Sequence, residues 1–134
     1  MLYMLDTNIC IYLAKRRPAS LLSRFQTLEQ GEAVMSAVTY AELRAGIEMQ
    51  PANRAHDEKI LSLIVSRVPI VSFEEEASVA YGFLRAAIPN RRRDALDRLI
   101  AAHALSLGAT LVTNNEADFR DYPGLLVENW VAAA

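Results

Sequence analysis

Four acidic residues stand where a carboxylate could do chemistry: Asp6, Glu42, Asp97 and Asp118. Asp6 directly follows the apolar run Leu2-Tyr3-Met4-Leu5. Glu42 lies between Ala41 and Leu43 on a helical pattern. Asp97 precedes Leu99-Ile100-Ala101-Ala102, with Ala101 and Ala104 on its own side of a helix. Asp118 follows Thr113-Asn114-Asn115 and precedes Phe119. Singly, each has a plainer reading: Asp6 as a helix N-cap, Glu42 as a surface glutamate, Asp97 as an ion-pair partner of Arg93, Asp118 as a turn residue. Converging on one cleft, they would repel one another unless cations lay between them. Oxygen-only donors select hard cations such as Mg²⁺ or Mn²⁺ over zinc. Such an ion activates water and stabilises charge on a transferring phosphoryl group.

Other chemistries lack their residues. The five glycines form neither GxGxxG nor GxxxxGK[ST], which excludes the usual dinucleotide and P-loop phosphate cradles. No GxSxG elbow is present. His56 and His103 fall on different predicted helices without ligand spacing, and His103 shares an apolar stripe with Leu96, Leu99, Ile100 and Leu107. Cys10, among Ile9, Ile11 and Leu13, reads as a buried structural thiol.

The elements that must position these acids alternate between strand and helix. Residues 2–5 read as a buried strand, and Asp6-Thr7-Asn8 as the cap of a helix over 9–15. Pro18 opens a helix that Gly31 ends. Residues 33–35 form a second strand, and Ser36 or Thr39 leads into a helix interrupted by Pro51. A helix over 53–65 and a third strand over 68–71 follow. Glu74-Glu75-Glu76 starts a helix through Ala87, the acids suiting its dipole. Residues 89–93 read as a loop, 94–107 as a helix ended by Gly108, 110–113 as a fourth strand and 125–127 as a fifth. This pattern predicts a three-layer α/β/α sandwich on a mainly parallel sheet of four to five strands, formed as a single domain over 1–134. Ligands in such folds bind at the carboxyl ends of strands, where Asp6 and Thr113-Asn114-Asn115 both fall.

The formal charge of -2 excludes a general nucleic-acid coat. Setting the four candidate acids aside, however, the remainder is formally +2. Twelve of the fourteen basic residues are arginine, the side chain that grips phosphate bidentately. One cysteine excludes an internal disulfide. No apolar run reaches a membrane span and the start lacks the pattern of a signal peptide, so the expected compartment is the cytoplasm.

MLDTNICIYL, SAVTYAELRAGI, DRLIAAHALSLGATLVTNNEADF and PGLLVENW occur here in one order. Together they resemble the PIN-domain ribonucleases of VapC type, the toxins of type II toxin–antitoxin systems, from Met1 to Trp130. The resemblance implies a metal-dependent endoribonuclease that cleaves RNA phosphodiesters with a metal-activated water. It implies that Asp6 and Asp97 bind Mg²⁺ or Mn²⁺, and that Glu42 is the acid of the T-x-x-E-L segment. The fourth position is open between Asn115, where many relatives carry an aspartate, and Asp118. Thr7, Asn8, Thr113, Asn114 and Asn115 would orient ligands and water. Arg44 and the run Arg91-Arg92-Arg93 would hold RNA phosphates, or form ion pairs with nearby acids. That arginine run replaces a glycine-containing spacer of many relatives, and Asp94 offers an alternative acid one turn before Asp97. The resemblance further implies a homodimer and a cognate antitoxin, with DNA reached only through the antitoxin.

Three rivals remain. A haloacid-dehalogenase-type phosphotransferase needs a D-x-D pair, but position 8 is Asn8. A receiver module needs a late lysine, but the lysines are Lys15 and Lys59. A catalytically silent PIN-like binding module is separated by a cleavage assay.

Overall fold

The computed structural model describes residues 1–89 and 95–131. Its strands are β1 (Tyr3–Leu5), β2 (Ala33–Ser36), β3 (Ile70–Val71), β4 (Thr110–Val112) and β5 (Leu126–Glu128). The helices are α1 (Thr7–Ala14), α2 (Ala19–Gln26), α3 (Ala37–Glu48), α4 (Arg54–Arg67), α5 (Glu75–Ala87) and α6 (Ala95–Leu107). Short 3₁₀ turns lie at Pro51–Asn53 and Glu116–Asp118.

All pairings are parallel, and the sheet order is β3-β2-β1-β4-β5. The side-chain period of two explains why both faces are covered. Tyr3 and Leu5 of β1 point into a core with Ile9, Leu13, Leu21 and Met35. Met4 between them points to the other side, into a core with Val34, Leu84, Ile100 and Leu111. Helices α1 and α2 thus cover one face and α5 and α6 the other, giving three layers.

Several boundaries differ from the sequence expectation. Helix α2 stops at Gln26, well before Gly31, because Thr27 caps it and Leu28 leaves the helix to pack on the core. Between the two candidates, Ser36 is the cap of α3, its hydroxyl accepting from the Val38 N–H at 3.0 Å, and Thr39 lies inside the helix. Strand β3 is shortened to two residues, although the Pro69 carbonyl still accepts from Met35 N–H at 2.9 Å. Gly108 takes φ +65° after α6, a conformation that disfavours a side chain. Among the described residues, no helix is long and apolar enough to cross a membrane.

Candidate active site at the carboxyl end of the sheet

In the order β3-β2-β1-β4-β5 the chain leaves β1 toward one side of the sheet and returns to place β4 on the other. The crevice beyond the carboxyl ends of β1 and β4 is therefore the switch point where parallel sheets bind ligands. Asp6 leaves β1 at that point, and its backbone N–H bonds the Val112 carbonyl at 3.0 Å. Thr113 leaves β4 beside it.

Local chemistry then turns Asp6 into the cap of α1, with Oδ1 accepting from the Ile9 N–H at 2.9 Å. The side chain is only 5% exposed. Burial pushes its carboxyl pKa up, and the nearby Glu42 charge adds to that; bonds from the Thr113 hydroxyl and the Ile9 N–H offset part of it. Thr113 is itself fully buried and accepts from the Asn115 N–H at 3.1 Å, so a relay runs from Asn115 through Thr113 to Asp6.

Glu42 comes from the second turn of α3, which Ser36 starts at the end of β2. The Thr7 hydroxyl donates to Glu42 Oε1 at 2.6 Å. With its single proton so placed, Thr7 accepts from the buried Thr39 hydroxyl at 3.3 Å. Asp97 lies in the first turn of α6, where its charge suits the helix dipole.

Asp6, Glu42 and Asp97 line one cleft of about 170 Å³. Thr7, Asn8, Thr113 and Asn115 complete its polar wall, and Phe119 is its aromatic wall. The donors are all oxygen or amide, which fits a hard divalent ion and not zinc. Among the described residues, no three His, Cys, Asp or Glu side chains are drawn close enough to form a ready-made ligand cage.

The structure distributes the remaining candidates differently. Both Asn115 and Asp118 are exposed, but only Asn115 lines the cleft, and Asp118 accepts from the Asn115 amide. Asn114 turns away, its amide donating to the Tyr12 hydroxyl at 3.1 Å. Arg44 is engaged with Glu58 and, at 3.9 Å, with Glu48, the ion-pair alternative to a phosphate contact. Arg91, Arg92, Arg93 and Asp94 lie outside the described residues. Cys10 is buried, and burial, aided by the charge of Asp6, raises its thiol pKa, so it is not a nucleophile. Phe119 was missed as a wall residue; its only sequence signal is an aromatic next to the candidate acid.

Comparison with known proteins agrees with this fold. The family described as PIN domain matches residues 3–125. The chain is 35% identical over 133 residues to "Ribonuclease VapC2" of Rickettsia felis, spanning 97% of this chain and 98% of the relative. It is 38% identical over 133 residues to "tRNA(fMet)-specific endonuclease VapC" of Shigella flexneri, spanning 96% and 97%. The solved structure of VapBC2 from Rickettsia felis bound to a promoter DNA fragment superposes with a TM-score of 0.88 at 34% identity, over 97% of this chain and 99% of that one. VapBC-1 from nontypeable Haemophilus influenzae gives 0.89 at 36% identity, over 98% and 100%.

Proposed function

This chain belongs to the PIN-domain family, and from that premise we propose that it is an endoribonuclease toxin of VapC type, dependent on Mg²⁺ or Mn²⁺. The observation that carries the reading is the convergence of Asp6, Glu42 and Asp97 on one cleft at the switch point of the sheet. Asp6 and Asp97 would hold the ion. The chemistry a divalent ion supplies when bound is activation of a water and neutralisation of charge on the phosphoryl oxygens.

The chain's own residues do the rest. Thr7 keeps Glu42 directed at the cleft, where its carboxylate orients water and takes up a proton. The Asn115–Thr113–Asp6 relay fixes the Asp6 carboxylate against the end of β4. Asn115 occupies the fourth position as a neutral donor, and Asp118 acts by holding its amide. Phe119, only 2% exposed, packs beneath the cleft and holds the shape of that wall.

The relatives extend the proposal to partners. A protein antitoxin would bind this chain, DNA would be met only through it, and the toxin would act in the cytoplasm as a homodimer. The Shigella relative is named for initiator tRNA, so that RNA is the first substrate to try. The deciding experiment incubates tRNA with the purified chain, with Mg²⁺ or EDTA, beside Asp6→Asn and Asp97→Asn. Cleavage present only in the wild type with Mg²⁺ supports the reading. Equal cleavage by either variant overturns the site, and no cleavage of any RNA by the wild type favours the silent binding module.

A further inference from the structure

Arg98 is a buried cation directly after Asp97, only 5% exposed. Burying a guanidinium is costly unless its N–H groups are satisfied, and an apolar residue of similar volume would serve simple packing at least as well. Among its contacts, two reach different parts of the fold. Nε donates to the Tyr122 hydroxyl at 3.2 Å, a buried contact. The guanidinium also bonds the Tyr81 hydroxyl of α5, which takes a second bond from Arg85 at 3.4 Å.

Tyr122 belongs to the connection from β4 to β5, the segment that supplies the other wall of the cleft. Its ring packs at 6.4 Å from that of Phe119, and its N–H bonds the Phe119 carbonyl at 3.1 Å. Phe119 N–H in turn bonds the Glu116 carbonyl at 3.1 Å, in the turn that follows Asn115. The helix turn that carries Asp97 and the segment that carries Asn115 and Phe119 are thus joined through Arg98.

We propose that Arg98 is a positioning residue of this site, which through Tyr122 sets the separation between the Asp97 wall and the Asn115–Phe119 wall. This rests on the nuclease reading above for its kinetic consequence, but not for its effect on ion affinity. Arginine suits the task because its planar fork fixes direction as well as distance, whereas a lysine ammonium fixes a single point. An error of about 1 Å in such a constellation can cost about a hundredfold in rate.

The test compares the wild type with Arg98→Met, Tyr122→Phe and Arg98→Lys. Mn²⁺ affinity is read by electron paramagnetic resonance on the metal-stripped chain, and kcat and KM on a short single-stranded RNA. Arg98→Met is expected to weaken Mn²⁺ binding and to lower kcat, each by roughly 10–100-fold, with KM nearly unchanged. Tyr122→Phe moves both in the same direction by less, and Arg98→Lys recovers part of the loss. The proposal is overturned if Arg98→Met and Tyr122→Phe only melt lower while keeping wild-type Mn²⁺ affinity and kcat. Should Arg98→Met fail to fold, Tyr122→Phe, which removes one oxygen, decides by the same readouts. If the wild type binds Mn²⁺ but cleaves no RNA, the nuclease reading falls and the Mn²⁺ affinities alone decide the role of Arg98. If the wild type binds no Mn²⁺, the positioning role falls as well.

Discussion

The Thr7 hydroxyl donates to Glu42 Oε1 at 2.6 Å, so the first residue of α1 aims the acid carried by α3. The bond crosses 35 residues of sequence and joins the ends of β1 and β2 at the cleft. Thr7→Val keeps the shape and removes the donor. Activity on RNA should fall about tenfold, the effect of releasing an oriented group near the reacting centre. Stability should fall by about 1 kcal/mol, as for one lost hydrogen bond. Thr7→Ser, which retains the hydroxyl, should recover most of the rate in the same assay.

Asp6 should destabilise the ion-free protein at neutral pH. Its raised pKa means that the folded state holds the proton more tightly than the unfolded chain. Stability contributed by Asp6 is therefore full below the ordinary carboxylate value and is lost as pH rises through the raised one. Asp6→Asn keeps an N-cap acceptor for Ile9 but removes the charge. In EDTA at pH 7 the variant should melt above the wild type. Adding Mg²⁺ should raise the wild-type melting temperature and leave the variant's unchanged. Cleavage by the variant should drop by about 10²–10³-fold, the scale of losing one charge-stabilising group. A wild type that gains nothing from Mg²⁺ would count against Asp6 as an ion ligand.

His103 should make stability fall in mild acid. It is buried, 2.7 Å from the Ser36 hydroxyl and edge-on to Phe73 at 5.3 Å. Burial lowers its pKa, offset in part by the Ser72 carbonyl and the Glu74 charge. Above the unfolded value of about 6.5 both states are neutral. Below it the unfolded chain takes a proton that the folded one resists, so stability declines until the folded value is passed. Urea midpoints at pH 7.5 and 5.5 should diverge for the wild type and converge for His103→Asn.

In the core beneath α1 and α2 an aromatic pair packs under a cation. Trp130 meets Tyr3 edge-on at 5.0 Å, and Arg24 lies 4.9 Å over the indole while pairing with Glu128. Trp130→Ala should cost about 3–5 kcal/mol, the range for removing a buried aromatic. Below its melting temperature that variant should retain most of its cleavage, because Trp130 lies in the core beneath α1 and α2 and does not line the cleft. Arg24→Met should cost about 1 kcal/mol, since its partners are half-exposed. Chemical denaturation with a parallel activity assay checks both.

The sequence by itself determined the layers and three of the acids. Apolar runs broken by capping residues dictated strands buried on both faces, and parallel strands put Asp6 and Thr113 at one edge. Periodicity is local physics, so it can be read along the chain. Glu42 and Asp97 were marked differently, by the resemblance of the T-x-x-E-L and D-x-L-I-A-A segments to those of PIN-domain ribonucleases.

Tertiary structure alone placed Asn115 and Asp118 relative to the cleft. In a 3₁₀ turn residues three apart lie one above the other; Asn115 took the cleft and Asp118 took a place beyond it, gripping the Asn115 amide. It also decided that Arg44 is held by Glu58 of a different helix, and that Arg98 is joined to Tyr122 across the back of the cleft. None of these follows from spacing, because each depends on how separate elements pack, and a side chain's partner there is set by the rotation and distance of two surfaces that the sequence names but does not place.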